Sequence, residues 1–194
     1  MLLAPSAGST RHRLIDIDRL QVSGLRRHFI QRLRVPLEKA LAIDAFNALY
    51  ADFASRLSGC SCQRDVFQAA LDALGLRLPR DLGDRGQIPA EGPLVAVANH
   101  PFGGLEGVVL ATLLLGVRPD VKVLGNYLLK RLSGIGESII AVDPFGSQTA
   151  RAGNRRALRA AIGWLENGGA LVVFPSGEVS SPQWRQGHIA DPPW

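Results

Sequence analysis

An α/β fold with a largely parallel sheet, flanked by helices and preceded by N-terminal helices, is what this sequence predicts on three observations. Short valine- and leucine-rich runs recur that have the length of buried strands. Longer stretches with apolar residues at helical spacing lie between them. Glycine, proline and asparagine punctuate the joints. Strands that alternate with helices are the pattern of βαβ units, whose strands run parallel.

Each element follows in order. From Pro36, apolar residues recur at Leu37, Leu41, Ala45, Leu49 and Phe53, with Phe46, Tyr50 and Leu57 alongside. That spacing predicts a helix ending near Ser58-Gly59, and proline is tolerated in a first helical turn. Val66, Phe67, Ala70, Leu71 and Leu74 predict a second helix closed by Gly75. Residues 79–93, rich in Pro, Gly and Asp, read as a surface connection. Leu94 to Ala98 is a strand, and a helix is expected over about 105–116. Val121 to Leu124 is a short strand, Tyr127 to Leu132 is helical, and Ser138 to Val142 is a strand ending at Asp143-Pro144. A long helix spans Thr149 to Asn167, with Leu158, Ile162 and Leu165 on one face and Gly168-Gly169 as its stop. Ala170 to Phe174 is the last clear strand.

The composition narrows the class. With 194 residues, 46% of them hydrophobic and 20% charged, one domain with a sizeable core is expected over residues 36–194. Residues 1–35 read as a basic, partly disordered leader to it. No apolar run approaches the roughly 18 residues that span a bilayer, and the longest, Val108 to Leu115, is far shorter. Met1-Leu2-Leu3-Ala4-Pro5 lacks a basic segment ahead of a long apolar core and is not read as a signal peptide. Cys60 and Cys62 do not match zinc spacing, so they read as free thiols and no metal is expected.

Charge is uneven. The net charge is +5, and residues 1–39 hold the whole excess: Arg11, Arg13, Arg19, Arg26, Arg27, Arg32, Arg34 and Lys39 against Asp16, Asp18 and Glu38. A basic segment beside an amphipathic helix suits an anionic membrane surface. A solvated basic tail is the plainer alternative. No nucleic-acid partner is expected, because the aromatic interleaving of a base-stacking surface is missing.

The chemistry concentrates in Asn99-His100-Pro101-Phe102-Gly103-Gly104-Leu105-Glu106-Gly107. His100 falls on a strand-to-helix turn, the end of the strand where open α/β sheets place ligands. A histidine with a carboxylate in reach is the minimum for a general base. Each residue also has a structural reading. His100 and Asn99 shape turns, Glu106 suits the positive end of a helix, and Gly103 and Gly104 relax the backbone. The same glycines would let the backbone approach a developing oxyanion.

This stretch resembles the signature of the glycerolipid acyltransferases, the lysophosphatidate-acyltransferase-like family, which carries Asn-His, four residues, then Asp. Asn99 and His100 match, Leu105 stands where the acid is expected, and Glu106 lies one step on. That offset fits the branch often labelled hemolysin-like, which includes enzymes that acylate lyso-ornithine lipids. A second match supports the first. Phe174-Pro175-Ser176-Gly177-Glu178-Val179-Ser180 follows an apolar run, and the family carries Phe-Pro-Glu-Gly-Thr-Arg-Ser about this far downstream. Phe174, Pro175, Gly177 and Ser180 match, while Val179 replaces an Arg that would supply a bidentate phosphate fork. The resemblance covers about residues 36–194.

The resemblance implies an O-acyltransferase at the cytoplasmic face of the inner membrane, attached peripherally. An acyl group would pass from acyl carrier protein or CoA, as a thioester co-substrate, to the hydroxyl of a lyso-lipid. It implies His100 as the base, Glu106 as its partner, and no cofactor. Substrate contacts are expected from Asn99, Gly103, Gly104, Ser176, Gly177 and Glu178, although Glu178 equally suits a helix cap. Lys130 and Arg131 meet a phosphate, the membrane or only solvent, and Arg151, Arg155, Arg156 and Arg159 form a solvated helix face, with Arg151 or Arg155 in reach of an acyl carrier. Two other functions fit the same motifs: a non-catalytic lipid-binding remnant and a thioester hydrolase. Family members continue past the position of Asp191-Pro192-Pro193-Trp194, so the chain is expected to be incomplete at its C-terminus.

Overall fold

The structure is a computed structural model that describes residues 42–79, 84–143, 148–177, 181–183 and 188–190, with backbone alone for 148–151, 181–183 and 188–190. The expected basic leader, Pro36 and the start of the first helix lie outside the described residues. The chain divides into two compact units, Met1–Ser58 and Gly59–Trp194.

In the first unit, α1 spans Ile43–Arg56 and buries Ile43, Asn47 and Phe53. It runs into a 3-10 turn at Leu57–Gly59, where the sequence places its end.

The second unit opens with α2, Gln63–Ala73, which buries Phe67, Ala69, Ala70 and Leu71. Asp65 anchors its start. One carboxylate oxygen accepts from the Ser61 amide at 2.9 Å, the Ser61 hydroxyl at 2.8 Å and the Cys62 amide at 3.2 Å. Orphan donors at a helix start are satisfied in this way. Gly75, at φ +68°, closes the helix.

Four strands then form one all-parallel sheet: β1 Leu94–Val97, β2 Val121–Asn126, β3 Ile139–Val142 and β4 Ala170–Val173. Their spatial order is β1-β4-β2-β3. β1 pairs with β4 from Leu94↔Ala170 to Val97↔Val173, and β2 pairs with β4 from Val121↔Ala170 to Val123↔Val172. Two helices make the crossovers, α3 over Gly104–Leu115 and α4 over Gln148–Glu166. Successive strand residues face opposite sides of a sheet. Ile140 and Leu171, with Leu124, Val142 and Val173, pack against Ala157, Ala161, Trp164 and Leu165 of α4. Val121, Val123, Ile139, Ala170 and Val172 fill the other face, all buried. α3 packs on β2 and β4, and α2 packs on α3.

Two expectations change. Leu165 packs on the core, but Leu158 and Ile162 are 56% and 47% exposed. The contact stripe of α4 runs through Ala157 and Ala161, whose small side chains let the helix lie close to the sheet and turn its larger neighbours outward. The segment after β2 is a 3-10 turn, Tyr127–Arg131, begun by the Asn126 side chain accepting the Leu128 amide at 3.0 Å. A short antiparallel pair, β5 Ser181–Gln183 and β6 His188–Ala190, adds to the expected strands. At three residues each, these strands leave too little alternation to read from sequence.

Arg118 fastens the N-terminal edge of the sheet. It is 1% exposed, in the turn before β2. Its guanidinium donates to both oxygens of Asp120 at 2.7 Å, to the Pro89 carbonyl at 3.1 Å and to the Gly168 carbonyl at 2.5 Å. Those partners precede β1, β2 and β4, so one buried cation fixes three strand entries. The Arg118 hydrogen bonds hold the Asp120 carboxyl below the usual carboxylate range.

Candidate active site

The site lies at the opposite, C-terminal edge. After β1, Ala98 to Phe102 form a turn that ends at Gly103, the N-cap of α3. Gly103 has φ 79° and ψ −124°, a backbone region closed to residues with a Cβ. That unusual step lets α3 begin at once and brings its first turn back over His100.

Glu106 is in that first turn. One carboxylate oxygen, Oε1, accepts the Phe102 amide at 2.7 Å. The other, Oε2, lies 3.6 Å from His100 Nδ1. The two side chains are 20% and 18% exposed. Nδ1 and Oε2 are both buried, and neither has a hydrogen-bond partner. At 3.6 Å these two unsatisfied polar atoms face each other just beyond hydrogen-bond distance. The carboxylate therefore has two jobs. It ties down the turn through one oxygen and confronts the imidazole with the other.

The second motif arrives through the sheet. β4 lies beside β1 with Val97 opposite Val173, so the residue after β4 falls next to the His100 turn. That residue is Phe174. Its ring stacks on the imidazole at 4.2 Å between centroids and 26° between planes. A Cβ placed on Gly107 would lie 3.8 Å from Phe174 Cε2, so the ring also lies along the first turn of α3. Gly177 then donates its amide to the Phe174 carbonyl at 3.0 Å and closes a tight turn at φ +66°.

The expected site residues divide accordingly. His100 and Glu106 meet. Asn99 is exposed on the same turn, Gly104 has open space where a Cβ would project, and Ser176 is half-buried on the turn after β4. Gly177 shapes that turn. Glu178 and Val179 lie outside the described residues. Lys130 and Arg131 are exposed on the 3-10 turn after β2. Arg155, Arg156 and Arg159 are exposed on α4, and the side chain of Arg151 is outside the described residues. Cys60 and Cys62 form no disulfide. Burial and the neighbouring Asp65 push the Cys60 thiol up, away from the reactive thiolate. Among the described residues no group of three or more His, Cys, Asp or Glu is placed to hold a metal. A cavity of about 410 Å³, bounded by Gln63, Asp120, Lys122, Glu137 and Trp164, lies at the N-terminal edge, away from His100. The contact between Phe174 and His100 was missed by sequence reasoning; its only signal was that both residues follow strands.

A parallel α/β unit with a histidine–carboxylate pair at the C-terminal edge of its sheet is a scaffold for proton-transfer chemistry. The acyltransferase family signature matches residues 61–194, and the chain belongs to that family. It is similar to lyso-glycine lipid O-acyltransferases of Phocaeicola vulgatus and Bacteroides thetaiotaomicron, at 26% identity over 185 and 186 residues. Each match covers 93% of this chain and 61% or 63% of the relative, so the chain spans under two thirds of the length of these proteins.

Proposed function

We propose that the chain transfers a fatty acyl group from an acyl-ACP or acyl-CoA thioester to the hydroxyl of a lyso-lipid, with His100 as general base. The observation that carries this reading is the pairing of His100 Nδ1 with Glu106 Oε2, both buried and without a hydrogen-bond partner. The carboxylate keeps the imidazole proton on Nδ1, so Nε2 has a lone pair for the acceptor. The hydroxyl gives its proton to Nε2 while its oxygen bonds to the thioester carbonyl carbon. The carbon–sulfur bond then breaks, and the imidazolium returns the proton to the departing thiolate. The backbone at Gly103 and Gly104, open at Gly104, is offered as the surface that meets the oxyanion. Asn99, Ser176, Gly177 and Glu178 are proposed to contact the acceptor. The chemistry calls on no cofactor beyond the thioester.

The relatives' name favours a lyso-glycine lipid as acceptor, and the resemblance of the His100 motif to the hemolysin-like branch adds lyso-ornithine lipid as a second amino-acid acceptor. An amphipathic acceptor favours a peripheral position at the cytoplasmic face of the inner membrane, on anionic lipid. No helix among the described residues is long and apolar enough to cross a membrane. Incubating the protein with labelled acyl-ACP or acyl-CoA and a lyso-lipid tests the reading. Labelled diacyl product is expected. Free fatty acid would make the chain a thioester hydrolase, and no turnover would make it a non-catalytic lipid-binding protein.

A further inference from the structure

The plane of the His100 ring is what general-base transfer needs fixed, and the side chain does not fix it alone. The outer torsion of a histidine is broad, with no sharp staggered well. The contact with Glu106 holds one ring atom, Nδ1, at 3.6 Å, which leaves the ring free to swing about that point. A second restraint has to act on the face of the ring.

We propose that Phe174 is that restraint: a positioning residue that fixes the imidazole plane, and hence the direction of Nε2, by stacking on its face. The stacking distance of 4.2 Å and the interplanar angle of 26° are those of rings in face contact rather than a chance approach. Phe174 is itself held on three sides. β4 sets its position through the Val97↔Val173 register. The Gly177 amide binds its carbonyl at 3.0 Å. The first turn of α3 lies beside its ring at Gly107, where a Cβ would be in ordinary van der Waals contact with it at 3.8 Å. Glu106 and Phe174 thus grip one edge and one face of the same imidazole, and they come from segments far apart in sequence, the first turn of α3 and the end of β4. The apolar ring also excludes water from that face without offering a competing proton acceptor.

The inference rests on His100 as the base, and its test separates the two claims. Phe174→Met keeps much of the volume but has no ring face, whereas Phe174→Tyr keeps the face. The chain has four histidines. The ring protons of His100, assigned by their loss in His100→Gln, are expected upfield of exposed histidines because they lie over Phe174. Phe174→Met should move them downfield, and Phe174→Tyr should leave them shielded. In acyl transfer, Phe174→Met should lower kcat roughly ten- to hundredfold with little change in KM, the cost of a misdirected base. Phe174→Tyr should restore most of it. A purely space-filling role predicts equal behaviour of Met and Tyr, and that result overturns the proposal. So does an unshielded His100 in the unaltered protein. The rate of carbethoxylation of His100 by diethyl pyrocarbonate supplies an arm that needs no substrate, and it should change in Phe174→Met alone. If no thioester is turned over while the ring shifts and carbethoxylation behave as stated, the positioning stands and the acyl-transfer reading falls.

Discussion

The Phe102 amide donates to Glu106 Oε1 at 2.7 Å, so the backbone of the turn, not the imidazole, decides how the carboxylate is oriented. The other oxygen is then aimed at His100 Nδ1. This relationship makes one substitution more revealing than a simple deletion. In Glu106→Gln the amide oxygen keeps the Phe102 bond, which leaves the NH2 group facing Nδ1. An imidazole that accepts a hydrogen bond at Nδ1 carries its proton on Nε2, where the proposed transfer needs a lone pair for the acceptor hydroxyl. The wrong tautomer is expected to cost roughly 10²- to 10⁴-fold in kcat, with the fold intact. His100→Ala should be as slow or slower. Activity of Glu106→Gln within a few-fold of the parent protein would mean that the pair does not set the tautomer.

Asp65 supports a prediction about acid. Hydrogen bonds from the Ser61 amide, the Ser61 hydroxyl and Cys62 hold its carboxyl at about 2, against an ordinary value of 3.8. A carboxyl whose value is depressed by folding adds stability above its unfolded value, and that stability drains away as pH falls through the folded one. The contribution should therefore be full above about pH 5 and be lost between about pH 4 and pH 2. Thermal melts of Asp65→Ala should lie below those of the parent protein near neutrality and converge with them near pH 2. Curves that stay parallel down to that pH would deny Asp65 this role. The α2 amides should also exchange faster in the variant, because the start of the helix frays without its acceptor.

The alternation of strand and helix was legible because run length and apolar spacing are local properties of the chain. Leu94 to Ala98 and Ala170 to Phe174 read as strands from their apolar runs alone. What local spacing does not contain is which strand lies beside which. The neighbouring positions of β1 and β4 join residues some 76 apart in the chain, as Leu94↔Ala170 illustrates. The stacking of Phe174 on His100 follows from that neighbourhood and so was hidden. Glu106 was legible because the residues it touches, Phe102 and His100, lie only a few positions before it in the chain. Leu158 and Ile162 were misleading, since apolar residues at helical spacing mark a stripe without saying which flank of it meets the sheet. Arg118 was invisible for a different reason: a charged residue in a turn is ordinarily solvated, and its burial depends on two carbonyls supplied by distant loops.

Arg118 is where the fold itself is most exposed to a single change. Arg118→Ala removes the partner of Asp120 and the donor to the Pro89 and Gly168 carbonyls, and leaves a gap where the buried guanidinium lay. The Asp120 side chain is 36% exposed and is rehydrated in the variant, so the expected loss is about 2 kcal/mol, or roughly 4–8 °C in Tm for a chain of this size. Arg118→Lys should recover only part of it. An ammonium cannot grip both Asp120 oxygens and also reach two carbonyls in the plane of a guanidinium. Differential scanning calorimetry decides the matter, and a Tm within about 2 °C of the parent protein in Arg118→Ala would remove Arg118 from the framework of the sheet.

The acceptor headgroup is the last question the motifs bear on. In the related signature an Arg stands where this chain has Val179, and Glu178 precedes it. Valine offers no donor to a phosphate, and a neighbouring carboxylate repels one. If the proposed acceptor contacts include these residues, discrimination by rejection as well as by attraction follows. The relatives, by name, acylate a lyso-glycine lipid, a headgroup built on an amino acid. In a competition assay, amino-acid lyso-lipids of the glycine or ornithine kind should show a higher kcat/KM than lysophosphatidate, by roughly tenfold or more for one lost bidentate contact. Val179→Arg should raise the constant for lysophosphatidate, and Glu178→Ala should raise it too by removing the repulsion. Lysophosphatidate as the better substrate of the parent protein, unmoved by Glu178→Ala, would place the phosphate grip on other cations, with Lys130 and Arg131 on the turn after β2 the first to test.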